Sequence, residues 1–100
     1  MDKIVFITGA SSGIGAGCAR KFASQGASLI LNARNVNKLS ALKEELEKQY
    51  GAKIYLLPFD VRDRKAATSA LESLPKEWQS IDILVNNAGL VIGTDKEQEG

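Results

Sequence analysis

Two hydrophobic periods alternate along the chain. Short runs rich in consecutive apolar residues occupy positions 3–8 (KIVFIT), 28–33 (SLILNA), 53–59 (KIYLLPF) and 81–86 (IDILVN). Between them lie longer segments whose apolar residues recur every three or four positions, the spacing of a helix face. Ile14, Cys18 and Phe22 form the first such stripe, with Gly26 placed to stop it. Leu39, Leu42, Leu46 and Tyr50 form the second, closed by Gly51. Ala67, Ala70, Leu71 and Leu74 form the third, opened by Asp63 as an N-cap and ended by Pro75. Near-continuous apolar strands alternating with amphipathic helices predict βαβ units and a parallel sheet covered on both faces. Right-handed crossovers restrict the topology, and the simplest solution is a doubly wound α/β fold with strand order 3-2-1-4. In that order the fourth strand is an apolar edge, which proteins usually cover or charge.

Composition narrows the chemistry. One hundred residues make a single domain at most. Charge is balanced, 13 Lys+Arg against 12 Asp+Glu, which argues against a nucleic-acid footprint. Histidine is absent and Cys18 stands alone, so histidine acid–base chemistry, a disulfide framework and the usual zinc sites are excluded. The four apolar residues at 4–7 are too few for a signal peptide, and no run approaches a membrane span. A cytoplasmic protein is expected. From Gly93 onward the sequence turns polar with no further element pattern.

The candidate chemistry sits where strands end. Directly after the first strand come Thr8-Gly9-Ala10-Ser11-Ser12-Gly13-Ile14-Gly15, opening the first helix. Glycines here allow a tight turn, let backbone approach a pyrophosphate and let helix and strand pack closely. The helix N-terminus adds free N–H groups and a positive dipole end. No glycine in the chain is followed by lysine, which rejects a Walker A loop, and Cys18 occupies the place of the third glycine in G-x-G-x-x-G. What is present is T-G-x-x-x-G-x-G.

That spacing resembles the short-chain dehydrogenase/reductase family, a Rossmann-type fold. Leu57-Pro58-Phe59-Asp60-Val61 after the third strand and Asn86-Asn87-Ala88-Gly89 after the fourth fall in the family's order. The resemblance implies that Gly9, Ala10, Ser11, Ser12, Gly13, Ile14 and Gly15 cradle the cofactor's phosphates. It also implies that Asp60 and Val61 lie at the adenine, and Asn87, Ala88 and Gly89 near the adenosine ribose. The phrases around Ser73–Trp78 and Ile81–Leu90 are similar to the NADP-dependent 3-hydroxy acid (serine-type) dehydrogenases.

The residue about 20 positions past the glycines decides the cofactor, because a carboxylate there binds the ribose 2′-hydroxyl of NAD. Here that place holds Ala33, followed by Arg34, whose planar cation suits a 2′-phosphate. NADP is the expected cofactor. The family's catalytic tyrosine has a lysine four residues on, but Tyr50 and Tyr55 are followed there by Ile54 and Phe59. They read as a helix-end packing residue and a strand residue; Cys18 reads as a small core residue, and Lys43, Glu44, Glu45, Glu47 and Lys48 as a solvent face.

Residues 1–100 are therefore expected to be the N-terminal, NADP-binding part of a longer oxidoreductase. Hydride transfer to a small-molecule alcohol or carbonyl, and the homo-tetramer common in the family, would need residues beyond Gly100. The competing reading is a stand-alone nucleotide-binding or regulatory module without catalysis.

Overall fold

Alternating side chains of three strands divide into two apolar sets, and that division builds the layers. The computed structural model describes residues 3–60 and 62–87. In chain order the elements are β1 (Ile4–Thr8), α1 (Gly13–Ser24), β2 (Ser28–Leu31), α2 (Val36–Tyr50), β3 (Ile54–Leu56), α3 (Arg64–Glu72), a 3-10 turn (Lys76–Trp78) and β4 (Ile83–Asn86). All strand pairs are parallel and the order is β3-β2-β1-β4, the Rossmann-type arrangement the alternating pattern predicts.

Val5, Ile7, Leu29 and Leu31 point to the face covered by α1 and α2, where they meet Ala19, Ala23, Leu39, Leu42 and Leu46. Phe6 and Ile30 point the other way, onto Leu57, Ala67, Leu74 and Trp78. Trp78 closes this second layer with its ring tilted against Tyr55, centroids 5.6 Å apart. Burying each of the large aliphatic side chains contributes about 1.5–3 kcal/mol. On the solvent side, Arg20 Nε and Nη2 clamp the Glu45 carboxylate at 2.7 and 3.2 Å, joining α1 to α2. The pair is half exposed, so its contribution is about 0–1 kcal/mol.

The helix signals are read correctly from sequence. Gly51 adopts the left-handed conformation at the end of α2, φ +64°, and Asp63 Oδ1 caps α3 by accepting from Ala66 N at 3.1 Å. Asn35 Oδ1 caps α2 in the same way, accepting from Lys38 N at 3.1 Å. Asn35→Ala is expected to lower stability by about 1 kcal/mol in denaturant unfolding, with unchanged far-ultraviolet dichroism of the native state.

Other details differ from expectation. Ile14 is 73% exposed, so the core-facing seam of α1 is Gly15, Ala19 and Ala23, with Cys18 and Phe22 at its margin. The helix turns its smallest residues to the sheet because it must approach the β1 loop closely. β3 is shorter than the apolar run around it and is an edge strand, where Pro58 is tolerated. β4 starts at Ile83, after a latch in which Ile4 N donates to Asp82 Oδ2 at 2.9 Å. Tyr50 stands at the surface end of α2. Leu84, on the edge strand, is 44% exposed. Among the described residues no helix is long and apolar enough to cross a membrane, and no cluster of His, Cys, Asp and Glu could hold a metal.

Candidate functional site

The first three strands all run toward one end of the sheet, so their following loops meet there. In parallel sheets this carboxyl end is the ligand-binding end. The loops frame a cleft of about 330 Å³ lined by Gly9 and Ser11, by Asn32, Ala33 and Arg34, and by Phe59, Asp60 and Arg62. A neighbouring open shelf, about 490 Å³, is lined by Ser11, Arg34, Asn35 and Lys38.

The glycine loop is built around two constraints. Gly9 has φ +63°, where a side chain is strained. Gly15 is buried, and a Cβ there would sit 2.1 Å from Gly9 O and 2.9 Å from Ala10 Cα. Ser12 Oγ donates to Gly9 O at 2.8 Å and accepts from Gly15 N at 3.0 Å, which caps α1 and fixes the turn. Gly13 differs from both: it has ordinary φ, and a Cβ there would meet nothing within 4 Å. Nothing in the described protein demands glycine at that position. The amides of Gly13 and Ile14 open the helix, where backbone N–H groups lack intrahelical acceptors. A glycine without an internal reason beside free donors fits a ligand that approaches the backbone, as an anionic phosphate would.

Charge in the cleft is organised by Asp60. Its carboxylate accepts from the Arg62 guanidinium (Nη2 to Oδ2 2.8 Å) and from the Arg62 amide (2.9 Å). These bonds hold the carboxyl down at about 2, with a smaller push from Arg34. A depressed carboxyl stabilises the fold fully above its free value of 3.8, and this contribution fades as pH falls from there toward 2. Arg34 Nη1 stands 3.9 Å from Asp60 Oδ2, at the limit of an ion pair, and its side chain is 69% exposed. Arg62 therefore takes most of the Asp60 charge and leaves the Arg34 guanidinium turned to solvent over the cleft.

The candidate residues read from sequence do not all converge. Gly9, Ser11, Arg34 and Asp60 line one cleft. Ala10 is buried behind it, its amide donating to Asn32 O at 2.8 Å. Asn87 lies at the end of β4, where its Nδ2 donates to Thr8 O at 3.3 Å and ties that strand end to β1. Val61, Ala88 and Gly89 lie outside the described residues. Asn32, Phe59 and Arg62 in the cleft, and Lys38 on the shelf, escape the sequence reading. Signals for two existed: Asn32 is a polar residue closing an apolar run, and Lys38 follows Arg34 by about one helical turn.

Comparison with known proteins places this arrangement. The short chain dehydrogenase family matches residues 3–99. The NADP-dependent 3-hydroxy acid dehydrogenase of Schizosaccharomyces pombe is 46% identical over 95 residues, covering 94% of this chain and 37% of that protein. The crystal structure of serine dehydrogenase from Escherichia coli superposes with a TM-score of 0.78 at 46% identity, covering 89% of this chain and 39% of that one. L-sorbose reductase from Gluconobacter frateurii, complexed with NADPH and L-sorbose, gives 0.81 at 38% identity, covering 88% and 34%. The chain thus spans a little over a third of the length of these relatives. With its glycine loop, sheet order and sequence all in agreement, the chain belongs to the short chain dehydrogenase family.

Proposed function

We propose that residues 1–100 form the N-terminal cofactor-binding part of an NADP-dependent oxidoreductase. The observation that carries this reading is Ala33 and Arg34 side by side in the cleft, where an NAD enzyme would present a carboxylate. The names of the relatives, which are NADP-dependent or bound to NADPH, support it.

In this reading the loop from Gly9 through Ala10, Ser11, Ser12, Gly13 and Ile14 to Gly15 receives the pyrophosphate at the start of α1. Ser12 contributes through the shape of the turn, since its hydroxyl is spent on the cap. Arg34 takes the 2′-phosphate, with Lys38 adding positive charge on the same shelf. Asp60 and Val61 serve the adenine, and Asn87, Ala88 and Gly89 the adenosine ribose, as the family likeness implies. Once bound, the nicotinamide supplies or accepts a hydride for a small secondary alcohol or carbonyl, a 3-hydroxy acid being the first candidate. The protein's own residues bind and orient the cofactor. The Tyr–Lys pair that the family uses for proton transfer has no counterpart in residues 1–100, where neither Tyr50 nor Tyr55 has a lysine four positions on; assembly into a homo-tetramer is what the family likeness implies.

The test is fluorescence titration of the full-length protein with NADPH and NADH, followed by a panel of 3-hydroxy acids with NADP. NADPH is expected to bind at least about tenfold more tightly, in keeping with one charge-assisted contact to the extra phosphate. Equal affinity for the two cofactors, or binding of neither, overturns the reading.

A further inference from the structure

The apolar run of β2 stops at Asn32, an amide with 0% exposure among leucines and isoleucines. Every polar atom of this residue except one is used, and the bonds reach β1, the glycine loop and the segment after β3. Its backbone N donates to Ile7 O in β1 at 2.9 Å, and its backbone O accepts from Ala10 N in the glycine loop at 2.8 Å. Its side-chain Nδ2 donates to Leu57 O at 3.0 Å and to Phe59 O at 3.2 Å in the segment after β3. The ladder from β2 to that segment ends with Leu57 N donating to Leu31 O at 2.9 Å. Beyond Leu57 the Asn32 side chain replaces the ladder. The remaining atom, Oδ1, is buried without a partner.

A bare acceptor is a poor way to fill a core, since an apolar side chain of similar size avoids its desolvation. What the amide does that such a side chain cannot is grip two carbonyls immediately before Asp60. We propose that Asn32 is a positioning residue for cofactor binding. It holds the Phe59–Asp60 segment in register with the glycine loop and with Arg34, so that the cleft is pre-formed before the adenosine end of the cofactor arrives. This rests on the cofactor reading above. Because that segment is assigned to the adenine, which NADP and NAD share, Asn32 supports both cofactors alike, whereas Arg34 separates them.

The experiment measures dissociation constants for NADP and NAD on the full-length protein and three variants, well below each melting temperature. Asn32→Leu is expected to weaken both cofactors by about tenfold and leave their ratio unchanged, as loss of pre-organisation predicts. Leu57→Ala, which opens the core under the same segment but keeps both gripped carbonyls, lowers the melting temperature and leaves both affinities within about twofold. Asn32→Asp sets carboxylate oxygens against two carbonyls and can donate only when protonated. Its deficit relative to wild type is therefore expected to shrink several-fold from about pH 8 to about pH 5.5. The wild type measured at each pH cancels titration of the cofactor's own phosphate. Over that range Asp60, held near 2, does not titrate, and Arg62, raised by its bonds to Asp60, remains charged.

Wild-type affinity in Asn32→Leu, or an equal loss in Leu57→Ala, overturns the proposal and leaves Asn32 a core residue only. Should Asn32→Leu fail to fold, the pH-dependent deficit of Asn32→Asp decides, and a pH-independent one counts against the proposal. If the wild type itself binds neither cofactor, the cofactor reading fails, a result distinguishable from failure of the Asn32 role.

Discussion

Gly15→Ala is expected to cost about 3 kcal/mol or more of stability, whereas Gly13→Ala, two residues away, costs none. The difference lies in what the added methyl meets. At Gly15 it would stand 2.1 Å from Gly9 O and 2.8 Å from Gly9 C, backbone atoms of a loop that Ser12 already ties to the helix. Neither the loop nor α1 can retreat without losing the seam of Ala19 and Ala23 against the sheet. At Gly13 the methyl enters open space, and removing a glycine stabilises a helix by roughly 0.5–1 kcal/mol when nothing opposes it. Yet Gly13→Ala is expected to weaken NADP binding by about tenfold or more, because the methyl occupies the approach to the free amides. Gly17 supplies the control. It too has nothing within 4 Å of an added Cβ, but it lies a full turn into α1, away from the amides that open the helix. Gly17→Ala should match Gly13→Ala in stability and the wild type in affinity. Denaturant midpoints and NADPH titrations on the three variants measure both quantities. A Gly13→Ala protein that binds as tightly as wild type would remove the phosphate from this loop.

Arg34→Ala is expected to weaken NADP binding roughly ten- to a hundredfold while leaving NAD nearly unchanged. A charge-assisted hydrogen bond to an ionised partner contributes about 1.5–3 kcal/mol, which sets this range. The geometry favours the upper part. Asp60 is satisfied by Arg62 at 2.8 Å, so a phosphate need not compete strongly for Arg34, whose contact with Asp60 is 3.9 Å long. Lys38 on the same shelf retains some attraction, so Arg34→Ala combined with Lys38→Ala should lose more than either alone. Ala33→Asp in the Arg34→Ala background should turn preference toward NAD, since a carboxylate accepts from a 2′-hydroxyl and repels a phosphate. The ratio of the two dissociation constants is the readout, taken at fixed moderate salt because exposed pairs are screened. Equal loss for both cofactors would mean that Arg34 only supports the loop. No loss for either would leave it a solvated cation.

The glycine and arginine positions also mark where sequence reading reaches its limit. Strand order, the three α-helices of the described residues and the caps at Asp63 and Gly51 follow from local pattern. Each depends on neighbours in sequence or on general rules of chain crossover, and such rules need no coordinates. The face α1 turns inward did not follow. Periodicity put Ile14 on the apolar stripe through its four-residue spacing with Cys18 and Phe22, but the close approach at Gly15 turns the small residues inward and leaves Ile14 exposed. Spacing cannot be weighed against contact distance until the partner backbone is in place.

The cleft shows the same division more sharply. Gly9, Arg34 and Asp60 were legible because each belongs to a motif after a strand, and parallel strands bring those ends together. Arg62 taking the Asp60 carboxylate, and Lys38 sharing the shelf with Arg34, depend on side-chain reach across or along loops. Asn32 lies furthest from what sequence alone can give. Its two acceptors, Leu57 O and Phe59 O, are 25 and 27 residues away, at and beyond the last ladder bond from Leu57 N to Leu31 O. Sequence fixes which groups want partners; only the folded chain decides which partners lie within 3 Å or so, because hydrogen bonds fail beyond that distance.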